Sequence, residues 1–221
     1  MRFLAAILLL ASALGAAEPP APRRIMAVGD SITQGGGATF ATYRTVLAAK
    51  LRAAGLKFEF VGSQVTTTPQ GPLRHEGYGG KNAEFLASIL GAKLSAAPAD
   101  ILMIQAGHNH FVEEMPIPGI LNATRAMVAT ARARNPKGVV IVAQVTPAGK
   151  LPKYSYIPEL NLALAALAKE LDRPDQRVLA VDLATGFDVA TDTIADRVHP
   201  NERGAEKIAQ RWVEALTPWL K

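Results

Sequence analysis

The sequence predicts a three-layer α/β/α sandwich around a five-stranded parallel sheet. Short, mainly apolar runs alternate along it with apolar stripes at helical spacing, and no internal repeat or low-complexity linker divides it. The apolar runs are Ile25–Val28, Phe58–Val61, Ile101–Ile104, Val139–Val145 and Val178–Val181. They read as strands covered on both faces. Phe40, Tyr43, Leu47 and Leu51 make the first helical stripe, and Phe85, Leu86, Ile89 and Leu90 the second. Ile120, Thr124, Met127, Val128 and Ala131 follow, then Leu160, Leu164, Leu167 and Leu171, and finally Ala205, Ile208, Ala209, Trp212, Val213 and Leu216. Each keeps the three-and-four spacing of one helix face. Strands that alternate with helices are joined by right-handed crossovers, which places helices on both faces of a parallel sheet. The segments Val65–Arg74 and Thr146–Ile157 read as loops.

Composition narrows what such a chain does. Its 221 residues, 49% hydrophobic and 19% charged, supply a substantial core and exclude a disordered chain. The absence of cysteine removes disulfides, thiolate nucleophiles and cysteine metal sites together, so any nucleophile carries oxygen or nitrogen. The net charge of +5 is spread without a basic stripe, and no nucleic-acid partner is expected. Met1 and Arg2, the apolar run Phe3–Leu14 and the small residues Gly15 to Ala17 read as a signal peptide over residues 1–17, leaving 18–221 as one domain. The run is shorter than the ~20 residues a bilayer crossing needs, so no stable membrane anchor is expected after cleavage. A secreted or periplasmic protein follows, with no sequence signal of its oligomeric state.

In parallel α/β sheets the chemistry lies beyond the carboxyl ends of the strands. There the chain carries Gly29-Asp30-Ser31, then Gly77-Tyr78-Gly79-Gly80-Lys81-Asn82, then Gly107-His108-Asn109-His110, and, ahead of the last helix and its Asn201 cap, Asp196-Arg197-Val198-His199-Pro200. A serine needs a base to become a nucleophile, the base needs an orienting acid, and the oxyanion formed needs donors aimed at it. These clusters contain each part. Asp196 and His199, three residues apart, can point the same way from one loop or helical turn. Asp30 reads as an acceptor within its own turn, and no serine sits in the G-x-S-x-G elbow of an α/β-hydrolase.

These blocks, in this order from Ile25 to the end of the chain, resemble the SGNH hydrolases, the GDSL esterase family. The stretch His75-Glu76-Gly77-Tyr78-Gly79-Gly80 is most similar to that of its carbohydrate O-acetyl esterases. The resemblance implies a flavodoxin-like sandwich, with Ser31 as nucleophile, His199 as general base and acid, and Asp196 as orienter of the imidazole. It implies an oxyanion hole made by the Ser31 and Gly80 N–H groups and the Asn109 amide, with no cofactor and no metal. The substrate implied is a small-molecule or polysaccharide ester, above all an acetyl ester on a carbohydrate. A lipase, lysophospholipase or thioesterase of the same family is the alternative.

One block departs from the pattern. The family commonly has Asp after the Asn, where this chain has His110, with His108 on the other side. Both are candidate substrate-loop residues. They also open a rival reading, a metal-dependent hydrolase using His75, His108 and His110 with Glu76. A non-catalytic carbohydrate-binding protein is a further class. Tyr154 and Tyr156 read as loop anchors rather than sugar platforms.

Overall fold

Successive side chains of an extended strand point to opposite faces, so a strand apolar at every position must be covered twice. Residues 21–221 are described by a computed structural model, and the expected leader lies outside them. The chain runs through β1 (Arg23–Gly29), α1 (Ser31–Gln34), α2 (Tyr43–Ala53), β2 (Phe58–Val61), β3 (Gln64–Thr68), β4 (Gly71–Gly77), α3 (Ala83–Ala96) and β5 (Ile101–Gln105). A 3₁₀ turn (Val112–Glu114) then leads to α4 (Ile117–Arg134), β6 (Val139–Gln144), α5 (Ile157–Leu171), β7 (Val178–Asp182), α6 (Val189–Asp192) and α7 (Glu202–Leu220). No helix among the described residues is long and apolar enough to cross a membrane.

The five expected strands all form, and all pair in parallel. The sheet has seven strands, in the order β3-β4-β1-β5-β6-β7 with β2 also on β1, so the expectation of five is corrected. The extra pair is the antiparallel hairpin β3–β4, in the segment read as a loop. It forms at the sheet edge, where β3 alternates between half-buried and exposed positions. Such a strand needs no apolar run, and a threonine-rich sequence suits it. The hairpin matters because β4 takes over from β2 beside β1. Arg23–Met26 pair with Phe58–Val61, and then Val28 and Gly29 pair with Glu76 and Gly77.

Alternation splits the core in two. Met26, Val28, Leu102, Ile104, Val140 and Val142 face α3, α4 and α5. Ile25, Ala27, Ile101, Met103, Ile141 and Ala143 face α2 and α7. Phe40, expected in the first helical stripe, lies outside α2, because the Thr42 side chain accepts the Arg44 N–H and starts the helix at Tyr43. On the second face Trp212 is fully buried, and its ring stacks with Tyr43 at 6.3 Å between centroids. The Tyr43 hydroxyl lies 3.2 Å from Thr33 Oγ1, which ties this core to the turn after β1.

Trp212→Ala therefore leaves a large void where α2 meets α7 and is expected to cost about 3–5 kcal/mol of stability. Urea denaturation measures it, and a loss below about 1 kcal/mol would show that the two helices close over the gap.

Candidate active site

β1 ends at Gly29, and Asp30 caps the single turn α1: its Oδ1 accepts the Ile32 N–H at 2.9 Å, and its carbonyl accepts the Gln34 N–H at 2.9 Å. Ser31 opens this turn, with Ile32 and Thr33 buried beneath it. So short a helix leaves its last carbonyls unpaired. They are taken by Arg44, a fully buried residue of α2, whose Nε donates to Thr33 O at 2.5 Å and Nη2 to Gln34 O at 2.8 Å. Burial pulls the guanidinium down to about 10, which leaves it protonated at neutral pH and places a cation at the negative end of the turn. Sequence reasoning missed Arg44. Its signal was a charged residue sharing a helix face with Ala48 and Leu51.

The second block reaches the first through backbone. Gly29 pairs with Gly77, and the Tyr78 N–H donates to Gly29 O at 2.9 Å. A Cβ at Gly77 would stand 2.5 Å from the Gln34 nitrogen, so only glycine permits this approach. The Gly79 N–H then donates to Gln34 Oε1 at 2.6 Å. Gly80 has φ of +73°, a left-handed conformation that favours glycine, and the space where a Cβ would stand is empty of protein. The N–H groups of Ser31 and Gly80 make no hydrogen bond among the described residues. They remain open to a ligand.

The third block follows β5. Asn109, in left-handed conformation at φ 66°, donates one Nδ2 hydrogen to Lys81 O at 3.1 Å, which ties this loop to the second block and leaves the other hydrogen free. Gly107 O accepts the Tyr156 hydroxyl at 2.8 Å, and Tyr154 is buried beside it, so both tyrosines serve as anchors. His108 and His110, the candidate substrate-loop residues, are 3% and 6% exposed and support the loop from below. The His108 Nε2 donates to Thr146 O at 3.0 Å, and its Nδ1 lies 3.5 Å from Asp30 Oδ2. His110 stands between two carboxylates, with Nδ1 3.2 Å from Glu114 Oε2 and Nε2 3.1 Å from Glu84 Oε2. Glutamates from neighbouring segments thus meet the residue that replaces the family's Asp.

The last block is a closed loop. The Ile194 N–H donates to His199 O at 2.9 Å, Thr193 bridges Pro200, and Arg197 takes a left-handed φ of 60°. Beneath it Asp192 is fully buried, with Lys207 Nζ at 2.5 Å and Arg203 Nε at 3.0 Å from its oxygens. Asn201 caps α7, as expected. The loop sets Asp196 Oδ2 2.5 Å from His199 Nδ1 and His199 Nε2 2.8 Å from Ser31 Oγ, bridging 168 residues of chain. Phe40 stacks on the imidazole at 4.2 Å, a contact unforeseen because Phe40 was assigned to a helix. Burial alone would raise the Asp196 carboxyl, but hydrogen bonds from the His199 ring and from the His199 and Val198 N–H groups hold it below its ordinary value. An ionised acid at Nδ1 keeps the hydrogen there and the lone pair of Nε2 turned to the serine, the arrangement that lets a base take a hydroxyl proton.

The residues of the rival metal reading do not converge. His75 is buried on β4, where its Nδ1 accepts the Gly77 N–H at 3.0 Å and its Nε2 faces Thr66 Oγ1 at 3.3 Å. Burial and the Arg44 cation pull its pKa down to about 3, so the ring is neutral. Glu76 accepts from Ser63 and from the Tyr78 hydroxyl. Among the described residues no three His, Cys, Asp or Glu side chains are placed to share a metal ion.

The model of the GDSL-like lipase/acylhydrolase family matches residues 27–207, from β1 into α7. No curated protein matches the chain. Among solved structures, a carbohydrate esterase family 3 protein from Talaromyces cellulolyticus is similar with a TM-score of 0.79 at 24% identity, over 90% of this chain and 98% of its own. A family 3 carbohydrate esterase from Clostridium thermocellum gives 0.76 at 28% identity, over 90% and 97%. The lipase/acylhydrolase from Enterococcus faecalis gives 0.70 at 19%, over 90% and 97%.

The lowered Asp196 carboxyl has a pH consequence. An unfolded Asp takes up its proton near the ordinary 3.8, before the folded one does, so the stability this carboxylate contributes is full above that value and is lost on further acidification. The stability difference between wild type and Asp196→Asn is expected to shrink as pH falls from about 5 to below about 3. Denaturant unfolding across that range measures it; a constant difference would mean that Asp196 titrates as a free carboxyl.

Proposed function

The chain belongs to the GDSL-like lipase/acylhydrolase family and is an ester hydrolase. From that premise we propose that it is a secreted serine esterase removing acetyl groups from carbohydrates, with Ser31, His199 and Asp196 as its catalytic residues. The observation that carries the chemistry is the hydrogen-bonded chain Ser31 Oγ–His199 Nε2–His199 Nδ1–Asp196 Oδ2, at 2.8 and 2.5 Å. His199 takes the Ser31 proton as Oγ attacks the acyl carbon. The carbonyl oxygen becomes an anion that receives the N–H groups of Ser31 and Gly80 and the free Asn109 Nδ2 hydrogen. Collapse of this intermediate breaks the ester C–O bond, and His199 returns the proton to the departing alcohol. A water molecule, deprotonated by the same imidazole, then attacks the acyl carbon, and the bond to Ser31 Oγ breaks as the imidazolium returns its proton to that oxygen and the acid leaves. Asp196 remains ionised throughout and stabilises the imidazolium.

The choice of sugar esters is supported by the likeness to two family 3 carbohydrate esterases, and that of the acetyl group by the likeness to an acetyl esterase solved with acetate ion. Export is supported by the charged start, apolar run and small residues of positions 1–17. The test is a screen of p-nitrophenyl esters of increasing acyl length and of acetylated saccharides, with Ser31→Ala as blank. Acetyl esters are expected to be the best substrates; a preference for long acyl chains would replace this reading with a lipase.

Ser31→Ala and His199→Ala are expected to lower kcat by on the order of 10⁴ with the fold intact. A folded, fully active Ser31→Ala protein would exclude the serine mechanism. Asn109→Ala removes a donor that acts mainly on the transition state, so a loss in kcat of about 10² to 10³ with a smaller change in KM is expected. Steady-state kinetics on a small acetyl ester, with circular dichroism as the folding control, measures this. A near-normal kcat for Asn109→Ala beside a collapsed one for His110→Ala would give the donor role to His110.

A further inference from the structure

Between α2 and the hairpin strand β3 lies an open trough of about 640 Å³, none of whose lining residues is Asp, Glu, Lys or Arg. Its walls carry Thr42, Thr45, Gln34 and Gln64 beside the apolar Val46, Val65 and Pro69, and Thr66 and His75 form its floor. One end is formed by Gln34 and Gly35, the last residue and the cap of the turn that carries the proposed nucleophile. Gln34, which lines the trough, accepts the Gly79 N–H, and a Cβ at Gly79 would lie 3.7 Å from Ser31 Cβ.

The floor is built from hydrogen bonds that leave one donor over. The His75 Nδ1 accepts from Gly77, so the hydrogen of this neutral ring sits on Nε2 and is donated to Thr66 Oγ1. The Arg44 Nη2 donates to the same oxygen at 2.7 Å. A hydroxyl has two acceptor sites and one hydrogen. Both acceptor sites of Thr66 are occupied, and its hydrogen has no acceptor among the described residues. The guanidinium polarises that hydroxyl, and all three groups that Arg44 donates to, Thr33 O, Gln34 O and Thr66 Oγ1, are uncharged. The trough thus offers a strengthened O–H donor on its floor and neutral hydroxyl and amide groups on its walls.

We propose that this trough is the leaving-group subsite and holds the neutral, polyhydroxylated alcohol of the ester, a saccharide, with the Thr66 hydroxyl donating to one of its oxygens. A saccharide supplies oxygens for the Thr66 donor and hydroxyls for the wall acceptors, and the volume lies within the range of small-ligand sites. The assignment rests on the esterase reading above and adds where the sugar lies.

The experiment compares kcat/KM for glucose pentaacetate with that for p-nitrophenyl acetate in wild type, Thr66→Val, Thr66→Ser and Thr45→Trp. Loss of one hydrogen bond predicts that Thr66→Val lowers the ratio of the two about tenfold, chiefly through KM for the sugar ester, and that Thr66→Ser restores it. Thr45→Trp, which fills the trough from α2 without touching the buried cluster, is expected to lower the ratio as well, and it decides the matter if Thr66→Val does not fold. An unchanged ratio in the folded variants of an active enzyme overturns the subsite and leaves the esterase reading standing. Calorimetric titration of glucose pentaacetate into Ser31→Ala protein, with and without Thr45→Trp, separates the reverse case. Binding lost with Thr45→Trp upholds the subsite even if wild type hydrolyses neither ester, an outcome in which the esterase reading alone fails.

Discussion

The site depends on a close approach of two backbones, the last residues of β1 against the last residues of β4. Gly29 faces Gly77 across this pairing, and Gly77 comes so near the Gln34 nitrogen that no side chain fits between them. The contact is made by main chain, so its geometry is set by hydrogen-bond length rather than by side-chain rotamers. Both groups proposed to meet the oxyanion, the N–H of Ser31 and that of Gly80, lie within a few residues of it. The Tyr78 N–H to Gly29 O bond and the Gly79 N–H to Gln34 Oε1 bond hold the two turns in one piece. Donors held in this way need no reorganisation when charge develops, and that is the main source of their effect on rate.

Beneath these turns lies a layer of buried polar groups with no role in bond making. Arg44 holds the carbonyl end of α1, His108 donates to Thr146, His110 lies between Glu84 and Glu114, and Asp192 anchors the histidine loop through Lys207 and Arg203. Polar groups in such places destabilise a fold unless they are partnered, and when partnered they select one arrangement of the chain. Each of them supports one of the four polar segments at the sheet edge. Two cores, one on each face of the sheet, supply the stability against which this layer is held, and the Trp212–Tyr43–Thr33 contact passes from one of them directly into the Ser31 turn.

Much of this was legible in the sequence for a simple reason: burial on both faces leaves an unbroken apolar run, and burial on one helix face leaves a three-and-four stripe. The five parallel-paired strands expected and the positions of α3, α4, α5 and α7 follow from those marks alone. So do the four polar clusters, since in a parallel sheet every strand end with chemistry on it points the same way. The hairpin β3–β4 left no such mark. Its strands lie at an edge, half in solvent, and their threonines and charged residues look like those of a loop. Phe40 fitted the helical spacing but was cut off from α2 by the Thr42 cap.

By itself, then, the amino-acid order determined the layered class, five of the strands and the block order that places a serine, a histidine and an aspartate at one edge. These are properties of local periodicity and of short motifs. Tertiary structure alone decided the partners. His75, His108 and His110, equal in the sequence as metal ligands, went to three separate sets of partners, and an arginine on an apolar helix face became the cap of the Ser31 turn. The trough floor likewise joins residues from α2, β3 and β4. Hydrogen-bond partners of this kind are selected by strand register and helix packing across long stretches of chain, and no local pattern encodes which distant atom will stand within 3 Å of a given nitrogen.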